Sequence, residues 1–302
     1  MIDIFGLGCT AVDDVIYVAA YPAADMKARV LRRERHCGGL TATALVAAAR
    51  LGARCAFGGV LGPDEASRFV LGHLAREGVD VSHATSRREA RPIQSLIVVD
   101  EARRTRNIFF DIENVFGAPP RSPSRKQIEG CKVLFVDNFG IQGMTRAATI
   151  ARSAGIPVVA DFESSDGDGF QELLSLVDHL ILSESFALKL TGAANPAAAA
   201  RSLWNPRRAV VVITSGERGC LFVDSSRHPP RRVPAFSVKA LDTTGCGDVF
   251  HGAYAAALAH GTPLQERLRF ASAAAALKAT RHGGQQGIPT LTVVNQFLQK
   301  NS

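Results

Sequence analysis

The feature that most limits the folds open to this chain is its alternation. Short β-branched runs are each followed by an Ala/Leu-rich stretch with helical spacing: "RCAFGGV" by "DEASRFVLGHLAREG", "KVLFVD" by "TRAATIARSAG", "IPVVADF" by "GFQELLSLV". The series continues with "HLILS", "ESFALKLTG" and "AVVVITSG". Strand then helix, repeated, is the pattern of a mainly parallel central sheet flanked by helices, a three-layer α/β sandwich. At 302 residues and 46% hydrophobic, the chain can bury such a core as one domain spanning 1–302. Two stretches break the rhythm: residues 12–36 and 92–111 read as strands around polar turns with no helix between them. They are expected to form a small β-sheet lid over one end of the main sheet. The segment "GAPPRSPSRKQ" at 117–127 reads as a Pro/Ser-rich surface connection.

Composition removes several classes of function. The formal charge is +7, but the arginines are scattered and lack aromatic interleaving, so nucleic acid is not expected as a partner and small anionic substrates are. Six cysteines (Cys9, Cys37, Cys55, Cys131, Cys220, Cys246) contain no CxxC pair, which points to reduced thiols in a cytoplasmic protein, not a zinc site or disulfide framework. The N-terminal stretch carries Asp3, Asp13 and Asp14 where a signal peptide needs a basic start and an unbroken apolar run. No stretch approaches the roughly 20 apolar residues of a membrane span, so no membrane association is expected. "GLGCTA" at 6–11 imitates a dinucleotide fingerprint, yet the strand-like "VDDVIYVAA" and Pro22 follow where that motif needs a helix.

The stretch "LDTTGCGDVFHGAYAAALAHG" at 241–261 carries the strongest chemistry. Val249, Phe250, Ala253, Tyr254, Ala257 and Leu258 recur at helical spacing and Gly261 is a stop signal, so residues 245–248 fall at a helix N-terminus. Free amides and the positive end of the helix dipole make an anion site there, and glycine admits a phosphate where a Cβ would collide. The same position favours an ionised Asp248, and an anion hole beside a base is what phosphoryl transfer to a hydroxyl requires. The plainer reading is that Thr243, Thr244 and Asp248 only cap a helix whose glycines make a turn.

"DTTGCGDVFHGA" is similar to the C-terminal signature of the ribokinase-like (PfkB) carbohydrate kinases, with Cys246 where alanine is usual. "CGGLTATALVAAARLGA" at 37–53 resembles their N-terminal signature, and "VLGPDEAS", "SESFALKLTG", "VVITSGERGC" and "LKATRHGGQQGIP" follow in the expected order. The resemblance implies Asp248 as catalytic base, with Gly245, Cys246 and Gly247 supplying anion-hole amides. It implies Asp13 on the sugar hydroxyls, and Gly38 and Gly39 lining the sugar site at the lid hinge. Thr214, Gly216 and Gly219 match the ATP-binding turn, and "RHGGQQGIP", with His282, Gly283 and Gly284, matches the loop near the adenine and the monovalent-cation site. ATP and Mg2+ are the implied cofactors, with K+ as a further candidate, and a homodimer through the lid is expected because pairing would cover its open strand edges.

The chain also departs from the family pattern. Thr43 stands where many members have a sugar-binding asparagine, and Ser183, Glu184, Ser185 and Phe186 replace the usual Asn-x-x-Glu, leaving Glu184 as the acid there for a metal role. Thr43, the altered 183–186 segment, "FASAAAALKATRHGGQQGIP" and Lys27 look most like the ketose and sulfofructose kinase branch. Asp137 beside Asn138 would repel a sulfonate, which favours a neutral ketose or an anion placed elsewhere, with Lys27 and Arg29 as candidate cations. The expected activity is ATP-dependent phosphorylation of a primary hydroxyl of a ketohexose or ketohexose derivative. A nucleoside kinase, with Tyr17 or Phe109 stacking a base, and a non-catalytic sugar sensor are the alternatives; retention of Asp248 between its glycines speaks against the sensor.

Overall fold

The β-branched runs form the central sheet of the computed structural model, which describes residues 1–103 and 105–301; Arg104, inside the 92–111 stretch, lies outside the described residues. In chain order the strands are β1 (Ile2–Leu7), β2 (Ala11–Val18), β3 (Val30–Gly38), β4 (Cys55–Phe57), β5 (Val60–Leu61), β6 (Thr85–Ser86), β7 (Ile93–Asp100), β8 (Thr105–Asp111), β9 (Cys131–Val136), β10 (Val158–Asp161), β11 (His179–Ser183), β12 (Val210–Thr214), β13 (Cys220–Val223) and β14 (Arg231–Val233). The helices are α1 (Leu40–Arg50), α2 (Glu65–Arg76), α3 (Arg125–Glu129), α4 (Ile141–Ser153), α5 (Phe170–Leu176), α6 (Glu184–Thr191), α7 (Pro196–Leu203), α8 (Cys246–Ala259), α9 (Leu264–Ala279) and α10 (Leu291–Lys300). No helix among the described residues is long and apolar enough to cross a membrane.

The main sheet runs β14-β13-β12-β11-β10-β9-β1-β4. It is parallel from β4 to β12, and β13 and β14 each pair antiparallel with the preceding strand. Consecutive strand residues point to opposite faces, and both faces are buried. Phe135, Val159, Ile181 and Val212 join one core cluster with α1, α8 and α9, whereas Leu134, Val158, Leu180 and Val211 join a second with α4, α5 and α7. This is why the strands read as continuous apolar runs and not as an alternation.

The 12–36 and 92–111 stretches supply a separate four-stranded sheet, ordered β3-β2-β7-β8. Its β8 strand is exposed at every position, and Leu96 and Phe109, direct cross-strand partners, are 44% and 52% exposed. The 117–127 segment differs from its surface reading. Gly117, Ala118 and Pro119 are buried against the turn at Phe139, where a Cβ on Gly117 would lie 1.9 Å from the Phe139 carbonyl oxygen. Ser124 and Gln127 then make a reciprocal cap that starts α3.

Helix α8 is buried all round, including Ala255 and Ala256, which the one-sided spacing of its large residues does not suggest. It lies against both α1 and α9, so its apolar stripe is a full circumference. Close approach to α1 depends on Gly252, where a Cβ would sit 2.1 Å from the Ala44 carbonyl oxygen. The Tyr254 hydroxyl within this layer accepts from Arg267 Nη1 at 3.0 Å and lies 2.9 Å from His179 Nδ1. Burial, with help from Arg267, draws the His179 pKa down to about 3, so the imidazole is neutral, and the buried hydroxyl has a partner on both sides.

Candidate active site

In an open parallel sheet, functional groups gather beyond the carboxyl ends of the strands, and the acids of this chain follow that rule. Cys9 lies just past β1, Asp137 just past β9, Asp161 ends β10, Ser183 ends β11 and Thr214 ends β12. The N-terminus of α8 points into the same region. Gly245 caps it in the left-handed conformation with φ 74°, which favours glycine, and Asp248 lies in the first turn. A Cβ on Gly247 would meet nothing within 4 Å, so that side of the turn is free of protein packing.

Asp248 does not stand alone. Its carboxyl hydrogen-bonds that of Asp161, which is 5% exposed and lies 3.2 Å from His251 Nδ1. The two His251 ring nitrogens also face backbone carbonyls, Gly247 at 2.8 Å and Ile181 at 3.0 Å, which pins the imidazole between α8 and β11. Burial draws the His251 pKa below its ordinary value. Asp248 is raised well above the carboxylate range, first by desolvation, then by Asp161 and Glu163. Asp161 is raised in the same way, by burial and then Glu163 and Asp137. The expectation that the helix end alone keeps Asp248 ionised is therefore corrected: the dipole is outweighed by loss of water and by neighbouring carboxyls. Asp161 was not singled out from the sequence, because nothing local marks the acid of "VVADF"; only the parallel register brings the end of β10 to α8.

Asp137 also departs from expectation. It is fully buried and accepts from Cys9 N at 2.7 Å, Thr41 Oγ1 at 2.8 Å and Phe139 N at 2.8 Å. Burial raises its pKa to about 6 against those bonds. It joins the turns after β1 and β9, its oxygens engaged by Cys9, Thr41 and Phe139.

On the side of the second sheet, Asp13 lies on β2 and hydrogen-bonds Ser95 of β7. Burial raises its pKa. A Cβ on Gly38 would lie 2.6 Å from Asp13 Oδ2, and one on Gly39, with φ 93°, would lie 2.6 Å from Thr10 Cα. Both glycines are thus required by the close passage of β3 over β2 and of α1 over residue 10. Thr43, one turn into α1, accepts from Gln285 Nε2 at 3.0 Å. The Cβ position of Gly245 lies 3.6 Å from both Thr43 Cγ2 and Gly284 Cα, so α1, the α8 turn and the 281–288 loop meet there.

The same face of the second sheet carries a polar chain. Arg32 pairs with Glu34 at 2.8 Å, Glu34 contacts His36 Nε2 at 2.9 Å and accepts from the Tyr17 hydroxyl at 3.2 Å, and His36 Nδ1 meets Gln286. Arg32 also lies over the Tyr17 ring, 3.6 Å from its centroid. Lys27 and Arg29 are exposed in the connection before β3.

These features are those of a known family. The sequence model of the pfkB family carbohydrate kinases matches residues 7–291. The chain belongs to that family. It is 32% identical over 274 residues to the ribokinase of Haemophilus influenzae, covering 87% of each chain. It is 27% identical over 289 residues to fructokinase-1 of Zea mays, covering 87% of this chain and 88% of that one. The structure of Arabidopsis thaliana ribokinase complexed with ribose and ATP superposes with a TM-score of 0.88 over 99% of both chains at 21% identity, which establishes the ribokinase-like fold. As a pfkB carbohydrate kinase the chain is an ATP-dependent sugar phosphotransferase.

The remaining residues read from the pfkB pattern fall into two groups. Thr214 is the register neighbour of Ser183, and Gly216 opens the short helical turn 216–218 behind it. Gly219, with φ 83°, passes so close to β14 that a Cβ would lie 2.1 Å from the Val233 carbonyl oxygen. His282 is exposed, whereas Gly283 donates to Asp242 Oδ2 at 2.9 Å. Glu184 is not directed at the carboxyl cluster; it accepts from Arg218 Nη2 at 2.7 Å, and the Ser215 hydrogen bond and Arg218 keep its pKa below the usual value. The Cys246 amide donates to the Thr243 carbonyl at 3.2 Å and its sulfur turns toward Ala275, so its backbone closes the turn.

Proposed function

We propose that this chain transfers the γ-phosphoryl group of ATP to a primary hydroxyl of a ketohexose or a ketohexose derivative. The observation that carries the reading is the placement of Asp248, a carboxyl with a raised proton affinity, on the first turn of a helix where Gly247 borders open space. Asp13, given room by Gly38, orients sugar hydroxyls; Asp248 takes the proton from the attacking one. The amides of Gly245 and Gly247 stabilise charge on the transferring group, the Cys246 amide being engaged by Thr243. The second sheet acts as a lid over the sugar. Thr214, Gly216 and Gly219 on one side and the 282–284 loop on the other border the nucleotide.

Mg2+ belongs to this chemistry through the charge of the nucleotide phosphates. The chain builds no cage for it. No group of three or more His, Cys, Asp or Glu among the described residues has metal-holding geometry, and Glu184 is neutralised by Arg218. No step is assigned to the ion.

Kinship with the Haemophilus influenzae ribokinase supports an aldopentose as the second reading. The test is ADP release from MgATP by purified protein with neutral ketoses, aldopentoses, sugar phosphates, sulfofructose and nucleosides. Turnover confined to ketoses supports the proposal. Preference for ribose moves the acceptor to the second reading, and nucleoside turnover would replace both.

A further inference from the structure

Lys278, in the last turn of α9, has no exposed surface. A lysine is rarely enclosed completely, and this one is held at a single place. Its Nζ donates to the Asp242 main-chain carbonyl at 2.9 Å and lies 3.9 Å from the Asp242 carboxylate. Asp242 is itself the junction of two loops. Its carboxylate accepts from Thr244 N in the segment leading into α8 and from Gly283 N in the 281–288 loop, both at 2.9 Å. The Leu241 and Asp242 amides donate to the Ala279 carbonyl at 2.7 and 3.1 Å, clamping that segment to the end of α9. A Cβ on Gly287 would lie 3.3 Å from Lys278 Cε, so the second loop folds over the lysine stem.

The family pattern places a monovalent cation beside this loop, and the residues present do not fit one. A potassium ion there would draw on the Asp242 carbonyl and carboxylate; an ammonium of the same charge, tethered by its own chain, already bonds the carbonyl and lies 3.9 Å from the carboxylate, which Arg106 Nη1 also approaches at 3.8 Å. From this geometry we propose that Lys278 is a built-in monovalent cation: it fixes the turn at 242–245 that shapes the phosphoryl site, and it makes the kinase independent of added potassium. The inference rests on the phosphoryl-transfer reading above for its activity readout, but the conformational readout does not.

Two measurements test it at constant ionic strength, with chloride salts of potassium and of tetramethylammonium, an ion too large for such a site. Wild-type ADP release with the best sugar of the panel should differ less than about twofold between the salts, and its melting temperature should be the same in both. Lys278→Met should lose at least about tenfold in kcat in tetramethylammonium and recover part of it in potassium or ammonium, which would also raise its melting temperature selectively. Lys278→Arg should keep the insensitivity. Wild-type activation of tenfold or more by potassium, or a potassium-specific rise in wild-type melting temperature, overturns the proposal, as does a Met variant that is active and indifferent to the cation. The wild-type arms decide the matter if the Met variant does not fold, and the melting arm stands if no sugar is turned over.

Discussion

Asp161 and Asp248 bond to each other through their carboxyl groups, across the end of β10 and the first turn of α8. Two carboxylates repel, so a bond between them needs a proton on one. Burial comes first among the causes that lift both; the charge of Asp161 then raises Asp248, while the bond from Asp248 eases Asp161 downward. A base is active when deprotonated, so kcat/KM should rise with pH through a value above the usual carboxylate range. Asp161→Asn removes a negative neighbour, lowers the Asp248 pKa and should carry that limb to lower pH. A limb at the same pH in both proteins would show that Asp248 titrates independently.

Asp248→Asn keeps the shape of the turn and removes the proton acceptor. We expect kcat to fall by roughly 10²-fold or more with little change in KM. Steady-state kinetics on the panel's best sugar check this, and wild-type turnover in the variant would remove Asp248 as the base.

Gly38→Ala places a methyl group 2.6 Å from Asp13 Oδ2. The carboxylate must turn away, so the sugar KM should rise by about tenfold, in line with the loss of a charged hydrogen bond. The nucleotide KM should stay unchanged. Asp13→Ala should move the same parameter the same way, and a shift in nucleotide KM instead would put Asp13 outside the sugar site.

Gly252→Ala should cost about 1–3 kcal/mol by overpacking, because α1 backbone and not a flexible side chain occupies the space. Urea unfolding of the variant measures it. An unchanged midpoint would mean that α8 can shift away from α1 freely.

The second sheet ends in two edge strands, β3 and β8, each paired on one side only, with Leu96, Ile108, Phe109 and Phe110 exposed on it. We expect a homodimer through this sheet, and Phe109→Asp should shift the molar mass seen by light scattering toward the monomer. A wild-type monomer at all concentrations would dismiss the assembly.

The alternation of strand and helix was legible because each element carries its own period, and the turn before Asp248 was legible as a helix N-terminus because apolar residues at helical spacing follow its glycines. Asp161, His251 and Lys278 were not. Each is unremarkable in its local context and becomes significant only through contacts with residues 87, 70 and 36 positions away. The partners of Asp137 were equally hidden: Cys9 and Thr41, far along the chain, donate to its carboxyl. Local chemistry predicts where a backbone turns. It does not predict which distant carbonyl or carboxyl will wait there.

The contact at Gly252 has a consequence for the course of catalysis. Helix α1 follows Gly38 and Gly39 and carries Thr43, helix α8 carries Asp248, and at Gly252 the space for a Cβ is taken by the Ala44 backbone and the Ala47 methyl. Neither can slide without breaking the other's packing, so the relative placement of Thr43 and Asp248 is settled when the chain folds. The ordering entropy is lost then and not at each turnover. On the proposed reading what remains to move is the second sheet, and the temperature dependence of kcat should report its closing over the sugar and not the placement of Asp248.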